Sequence, residues 1–269
     1  MQKIQIRQIF YDSESFRLLT PSYIPLDNKN GDKTWFEFWP ILNFLKDNEL
    51  EENVFYGFFS PRFYEKTGFT SEFTYQSISE NFDKDAILFS PGWDQLCFYQ
   101  NPWEQGETHH PGIIKATQCF LDHVKIPINI STLVTTRSTS VFSNFIVAKA
   151  SYWRRWEFLA SRFFQYCKDP TSEIQALSTK HRDGSAPMKV FIQERFSALV
   201  LADKTLTTAV FESPKSVIWQ ESHQELLRCD ELKELILQSS PQKDLLEEWM
   251  ALRRTVLEKA VLKHQKQIS

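Results

Sequence analysis

Glycine is scarce in this chain, seven among 269 residues, and the scarcity removes whole classes of chemistry. Neither GxGxxG nor GxxxxGK[ST] occurs, and dinucleotide and P-loop sites both need glycines where backbone meets phosphate. There is no GxSxG elbow and no HExxH helix, which weighs against serine hydrolases and zinc proteases of those kinds. Cys97, Cys119, Cys167 and Cys229 form no CxxC pair, so they read as reduced, mostly buried thiols, not a zinc ribbon or a disulfide scaffold. A formal charge of -3 supplies no field for a polyanion, and nucleic acid is not an expected partner. No run approaches the roughly 20 apolar residues that span a bilayer. The opening MQKIQIRQIFYD alternates like a strand and lacks the apolar stretch of a signal peptide, so the expected setting is the cytoplasm.

Aromatic surface is what the chain has in quantity: 23 Phe and 8 Trp, enough for a wide core and for rings that stack on sugars or bases. Two segments repeat one device. VFYGFFSPRF (54–63) and AILFSPGWD (86–94) each run apolar, stop at Ser-Pro and place a charged residue, Arg62 or Asp94, beyond the stop. Each reads as a buried strand delivering polar groups at its carboxyl end, as open α/β sheets do at ligand crevices. Their shared punctuation predicts neighbouring inner strands of one sheet. Lys3 to Tyr11 reads as the first strand and Ser13 to Leu19 as a short helix. The turn-rich Asp27-Asn28-Lys29-Asn30-Gly31-Asp32 is then a loop where a ligand could be held.

Further along, Thr34 is the expected cap of a helix through WFEFWPILNFLKD, with Glu37 at the capping-box position and Pro40 near the start. Helices are predicted over Thr70 to Glu80, from Pro111 to about Val124, through YWRRWEFLASRFFQYC, and over Met188 to Asp203. Short strands are predicted over Ile128 to Thr132, Val141 to Ala148 and Leu206 to Phe211. Pro214 is the expected boundary, and from about Gln224 to Lys266 the composition shifts to Leu, Glu, Lys, Arg and Gln, broken once at Ser239-Ser240-Pro241, which reads as a helical hairpin or tail. The expectation is an α/β domain over residues 1–213 and a helical extension over 214–269. The basic end of that extension, Lys259, Lys263 and Lys266, suits a solvated helix face or peripheral contact with anionic lipid at the inner membrane face.

Polar side chains concentrate between Ala86 and Gly112, where Asp94, Gln95, Glu104, Glu107, His109 and His110 fall on loop-like sequence. Imidazole beside carboxylate is metal-ligand chemistry, which makes a metal hydrolase on Glu104, His109 and His110 one reading. Adjacent loop histidines do not readily share one ion, so no metal and no cofactor is assigned. Asp83-Lys84-Asp85 has DxD letters but precedes its strand, which makes it a charged strand entrance. Arg62 fits either a surface ion pair or a diphosphate site, because its planar donor fork matches phosphate oxygens without a metal.

The order of landmarks WFEFWPILNFL, FYGFFSPRFYEKTG, AILFSPGWDQ, NPWEQGETHHPG, VFSNFIVAKASYWRRW and MKVFIQERF resembles bacterial glycosyltransferase-like domains from capsule and O-antigen loci. More distantly it is similar to GT-A-like galactofuranosyltransferase domains, in which a strand ends in a His-Tyr-Arg-Arg motif and a later asparagine precedes an apolar strand. Arg62 matches one arginine of that motif and Asn144 the asparagine, while Ser60 and Pro61 replace its histidine and tyrosine and leave the sugar open. The resemblance covers residues 3 to 212. It implies a GT-A-like, Rossmann-like mixed sheet flanked by helices, and transfer from a nucleotide-sugar donor to a glycan or lipid-linked glycan acceptor of a surface polysaccharide. Such a reaction asks for diphosphate stabilisation by Arg62 and Lys66 and for a carboxylate at the acceptor hydroxyl, Asp94 first and Glu104 second. Trp93 and Trp103 would stack on sugar faces, with Gln95, His109 and Asn144 among the binding groups. Glu194 opens the family-like ERF segment and reads either as a site residue or as a buried helix residue. A carbohydrate-binding or scaffold subunit without transfer chemistry is the opposing reading.

Overall fold

The computed structural model describes residues 3–181, 184–238 and 243–268. Strand β1 (Lys3–Phe10) leads into α1 (Ser13–Arg17), which the Asp12 carboxylate caps by accepting from the Ser15 amide. Strand β2 (Ile24–Asp27) follows, then α2 (Phe38–Asp47), whose buried Phe38, Ile41, Leu42 and Leu45 share one face. The cap before α2 is Asp32, not Thr34, and it starts only a single turn, Lys33–Trp35. Phe36, at φ 47° and ψ -131°, then breaks the chain, and Glu37 makes no capping contact.

Strand β3 (Val54–Phe59) is buried at every position. Its Phe58 meets Phe44 and Trp153 on one face while Phe59 stacks on Phe63 on the other, which is why its sequence is apolar without alternation. Next come α3 (Phe63–Thr67), α4 (Ser71–Glu80) with its Thr70 cap, and β4 (Ala86–Ser90). The stretch expected to be loop is instead helical, as α5 (Trp93–Phe98) and α6 (Pro102–His109). Asn101 explains α6: its side-chain oxygen accepts from the Trp103 and Glu104 amides, and Pro102 takes the first position, where no amide is needed.

Helix α7 (Ile113–His123) precedes a long irregular segment in which Ile128 to Thr132 form turns, not a strand. Of Val141 to Ala148 only β5 (Ile146–Ala148) is strand, and it runs into α8 (Ala150–Lys168). A hairpin, β6 (Ser178–His181) and β7 (Gly184–Pro187), was not foreseen. The helix expected over Met188 to Asp203 is split into α9 (Met188–Gln193) and α10 (Phe196–Val200) before β8 (Thr208–Glu212). Helices α11 (His223–Gln238) and α12 (Lys243–Ile268) complete the chain, and the expected break at Ser239-Ser240-Pro241 lies outside the described residues.

The protein is a mixed α/β fold with helices flanking the sheet and a helical carboxyl-terminal region. Among the described residues, six strands form the main sheet in the order β2-β1-β3-β5-β4-β8. Every pairing is parallel except those of β5, which runs antiparallel to both β3 and β4. The expectation that β3 and β4 are neighbours is therefore corrected. Val147 of β5 stands opposite Gly57 on one side and Ile87 on the other. The chain reaches this slot from the carboxyl ends of β3 and β4, where Ser143 and Asn144, at φ 62° and 54°, precede the strand.

From β1 the chain passes to β2 on one side, while from β3 it goes on to β4 on the other. The connections diverge between β1 and β3, and outside the carboxyl ends of such a pair an open sheet leaves a crevice.

Of the eight tryptophans, seven are buried and Trp39 is half-buried. Cys97, Cys167 and Cys229 are buried free thiols, and Cys119 is exposed. Helix α11 is clamped to α5 by Lys233, whose fully buried ammonium donates to the Leu96 carbonyl and to that of Tyr99 at 2.9 Å. Burial lowers its pKa. At the basic end, Lys259 pairs with Glu225 at 2.5 Å and Lys263 with Glu221 at 2.8 Å, so both meet α11 or the turn before it. No helix among the described residues is long and apolar enough to cross a membrane.

The split between α9 and α10 has an identifiable cause. The Phe191 carbonyl, which a continuous helix would pair with the Arg195 amide, accepts instead from the Arg195 guanidinium at 2.6 Å, and the amide moves to the Ile192 carbonyl. The same buried guanidinium donates to the Pro102 carbonyl at 2.8 Å and to the Gln105 side chain at 2.9 Å. Gly106 makes room for it, since a Cβ there would stand 2.8 Å from Arg195 Nη2. Gly106→Ala should therefore destabilise the protein by about 1–3 kcal/mol despite alanine's better helix propensity. Denaturant unfolding checks this, and a stabilised variant would show that the guanidinium can yield.

Candidate functional site

A cavity of about 200 Å³ occupies the crevice between the ends of β1 and β3. Tyr11 enters it directly after β1, and Ser60, Pro61 and Arg62 directly after β3, with Lys66 one turn further along α3. Phe36 and Glu37 come from the broken entry to α2, while Ala186, Val190, Phe191 and Glu194 form the wall contributed by β7 and α9 with the split that follows it.

Charge is divided across this cavity. Arg62 and Lys66 lie on the β3 side. Arg62 forks onto Glu65 at 2.8 and 2.5 Å, and Lys66 donates to Ser143 Oγ at 3.2 Å. Opposite them are Glu37 and Glu194, and no hydrogen bond holds the Glu194 carboxylate among the described residues. Burial raises the Glu194 pKa; Arg195 and then Lys66 draw it back, and Glu37 adds to the rise. The Tyr11 phenol is likewise raised by burial, then by Glu37.

Two hydroxyls in the lining, Tyr11 Oη and Ser60 Oγ, are buried without a well-formed hydrogen bond. A buried polar group left unpaired costs about 1–3 kcal/mol, which a ligand that meets it returns. Phe36, in a sparsely populated backbone region, lines the same cavity, and such residues gather at functional sites.

Three of the residues singled out from sequence, Arg62, Lys66 and Glu194, are brought together here. Asn144 lies behind the wall, donating to Gln193 Oε1 at 3.3 Å, with its own Oδ1 buried and unpartnered. The remaining candidates lie elsewhere. Asp94 is completely buried, and its Oδ2 accepts from the Ile218 amide at 2.7 Å and the Trp219 amide at 3.1 Å, tying α5 to the chain that follows β8. Glu104 accepts from the Gln100 amide at 2.5 Å and pairs with Arg253 at 2.8 Å.

Trp93 belongs to a small core with Cys97, Phe98, Trp219, Leu226 and Val256. Trp103 is fully buried, donating to Thr117 Oγ1 at 2.9 Å, and offers no face to a ligand. Gln95 accepts from Gln105 at 3.1 Å. His109 is exposed at the end of α6, while His110 stacks on Phe191 at 3.7 Å and so backs the cavity wall. These histidines do not converge with Glu104, and among the described residues no group of three or more His, Cys, Asp or Glu is placed to hold a metal ion.

Sequence reasoning missed Tyr11 and Glu37. The signal for Tyr11 was the strand-end rule already applied to β3 and β4 but not to β1. Glu37 was hidden by its fit to a capping box that does not form. No family model matches the chain, and neither do any of the curated proteins or the solved structures.

The contacts of Asp94 lead to a direct expectation. Burial raises its pKa, against which the Trp219 and Ile218 amides pull it down. A carboxyl raised in the fold stabilises most when protonated, and that contribution is lost as pH rises from the ordinary carboxylate range through the raised pKa. Asp94→Asn keeps an oxygen for both amides and removes the charge, so it should be at least as stable as the parent at pH 7. Asp94→Ala strands two amides and should lose about 2–5 kcal/mol. Chemical unfolding of both variants tests this, and an Asp94→Asn chain as weak as Asp94→Ala would contradict it.

Proposed function

We propose that this chain is a GT-A-like glycosyltransferase that moves a sugar from a nucleotide-sugar donor to a surface-polysaccharide acceptor, with its reacting centre in the cavity between β1 and β3. The observation that carries the reading is a pair of cations facing a carboxylate of raised pKa across a crevice at the point where the sheet's connections diverge. A mixed sheet with one reversed inner strand is compatible with that fold. A cavity of about 200 Å³ suits a sugar and its adjoining phosphate, leaving the nucleoside over the rim.

In this reading the Arg62 fork exchanges Glu65 for the donor diphosphate, and Lys66 adds a point charge, so the leaving phosphate's charge is met by side chains. Ser60 Oγ, which has no partner within the protein, and Tyr11 Oη, whose contact with Glu37 is not a well-formed hydrogen bond, meet the sugar hydroxyls. Glu194 takes the proton from the attacking acceptor hydroxyl, a role for which a raised pKa makes it a stronger base. Asp94 and Glu104 leave that role to it, because neither lines this cavity: Asp94 is fully buried with Oδ2 on two backbone amides, and Glu104 holds the Gln100 amide and Arg253.

Screening UDP-, GDP- and CMP-sugars by thermal shift identifies the donor, and Glu194→Gln then tests the chemistry. The variant should keep donor stabilisation while turnover falls by about 10²–10⁴-fold. Parent turnover should rise as pH climbs through the raised Glu194 pKa, and that limb should be missing from the variant. The same pKa predicts that Glu194 loses its stabilising contribution over that pH range, so Glu194→Gln becomes the more stable chain above it. Parent-like turnover in the variant would remove Glu194 from the chemistry, and absence of stabilisation by every UDP-, GDP- and CMP-sugar would favour a carbohydrate-binding subunit.

Charge supplied by Arg62 and Lys66 also predicts that donor stabilisation persists in EDTA and is lost in Arg62→Ala. Loss in EDTA alone would reveal a metal in donor binding.

A further inference from the structure

A second cavity, of about 400 Å³, lies along the outer edge of the sheet between the end of β2 and α2, and none of the residues assigned above belongs to it. The start of α2 separates the two cavities: Glu37 faces the first, and Trp39 and Pro40 face the second. Its lining is rich in amides and carboxylates, with Asp27, Asn28, Asn43, Asp47 and Asn48 around Trp39.

Three features mark it as built to hold a ligand. Asn28 is only 5% exposed, lines the cavity, and has no hydrogen bond to its side-chain amide among the described residues. Its polar atoms are not sealed inside the protein, so the amide is nearly buried yet keeps its hydrogen-bonding capacity for whatever occupies the groove. Gly31 holds Asn28 in place: a Cβ at residue 31 would collide with Asn28 Oδ1 and stand 2.8 Å from Trp39 Cδ1, so glycine is what allows amide and indole to close on each other. Trp39 is also the tryptophan that is not sunk in the core, and its indole is half-open toward this groove.

The chemistry of the lining selects the ligand. No cation is among the residues lining the groove, and Asp47 adds negative charge, so a phosphate or an acidic sugar finds no charge partner in the lining. Asp27 is already paired with Lys29 at 3.3 Å, and no group of carboxylates suited to a metal ion exists among the described residues. Side-chain amides present a donor and an acceptor side by side, the pattern that neighbouring sugar hydroxyls match, and an indole offers a flat apolar face to the C–H side of a pyranose ring.

The geometry points to this groove as a subsite for a neutral saccharide, held by Asn28, Asn43 and Asp47 against Trp39. In the proposed transfer reaction, on which this part rests, the groove is where the acceptor glycan lies while its reacting end reaches Glu194. The binding itself stands on the groove's own chemistry.

The test uses the full chain with maltotetraose, cellotetraose, β-1,4-galactotetraose, mannotetraose, chitotetraose and, as the acidic comparison, tetragalacturonic acid. Side-chain amide and indole NMR signals are followed. At least one neutral tetraose should shift the Asn28, Asn43 and Trp39 signals, and the acidic one should not. Asn43→Ala should weaken that binding by about tenfold, the size of one lost hydrogen bond, and leave nucleotide-sugar stabilisation through Arg62 unchanged.

Asn28→Ala should weaken saccharide binding in the same way yet be no less stable than the parent, because no protein hydrogen bond is lost; a merely structural asparagine would lower stability. Absence of shifts with all five neutral tetraoses, or parent-like binding in both variants, overturns the proposal. Failure of the donor cavity would instead appear as loss of nucleotide-sugar binding with these signals still responsive.

Discussion

A guanidinium withdrawn from water is tolerated only when its donors are met, and Arg195 meets that demand by drawing together the start of α6, the last turns of α9 and the Gln105 side chain. Burial lowers its pKa to about 10, against the pull of Glu194, so it is still charged at neutral pH. Its capture of the Phe191 carbonyl ends α9 at Gln193 and leaves Glu194 in the break. That break leaves Glu194 in the cavity lining while Arg195 faces inward. Phe191, whose carbonyl is held in this way, is backed by His110, so the wall opposite Arg62 and Lys66 is fixed from α6 as well as from α9.

The acidic residues of the chain divide according to what their oxygens already hold. Asp94 clips the segment after β8 to α5, and Glu104 meets the Gln100 amide and Arg253. Glu107 accepts from the Gly112 and Ile114 amides, and Asp230 accepts from the Arg137 amide and side chain. The contacts of Glu107 and of Glu104 with Gln100 are local, whereas those of Asp94, of Glu104 with Arg253 and of Asp230 join elements distant in sequence and fasten the carboxyl-terminal region to the rest of the fold. Glu194 and Glu37 have no such duty, and both face the cavity. What separates these two groups of carboxylates is the presence or absence of amide and cation partners, more than position at a strand end.

Strands β3 and β4 were legible because their apolar runs and punctuation follow directly from double-sided burial in a sheet, and β1 because its residues alternate. The helical hairpin was legible from composition. The slot of β5 was not, because three residues carry no periodicity and their direction depends on where the preceding irregular segment ends. That slot moved the crevice from the pair β3 and β4 to the pair β1 and β3. Arg62 lines the cavity there, and Asp94 lies outside it. Helices α5 and α6 were hidden behind polar and aromatic residues that read as loop, although Asn101-Pro102 held the necessary start signal. The groove beside Trp39 was foreshadowed by the Asp27 to Asp32 turn, but only the structure shows which tryptophan escapes the core.

The central claim, that the crevice between β1 and β3 receives an anionic sugar donor, is tested most directly by a crystal structure of the chain with the sugar nucleotide that stabilises it most. The account predicts the diphosphate on Arg62 and Lys66, with Glu65 released and the sugar within hydrogen-bond reach of Tyr11, Ser60 and Glu194. A diphosphate seated anywhere else, with Arg62 still forked onto Glu65, would contradict it.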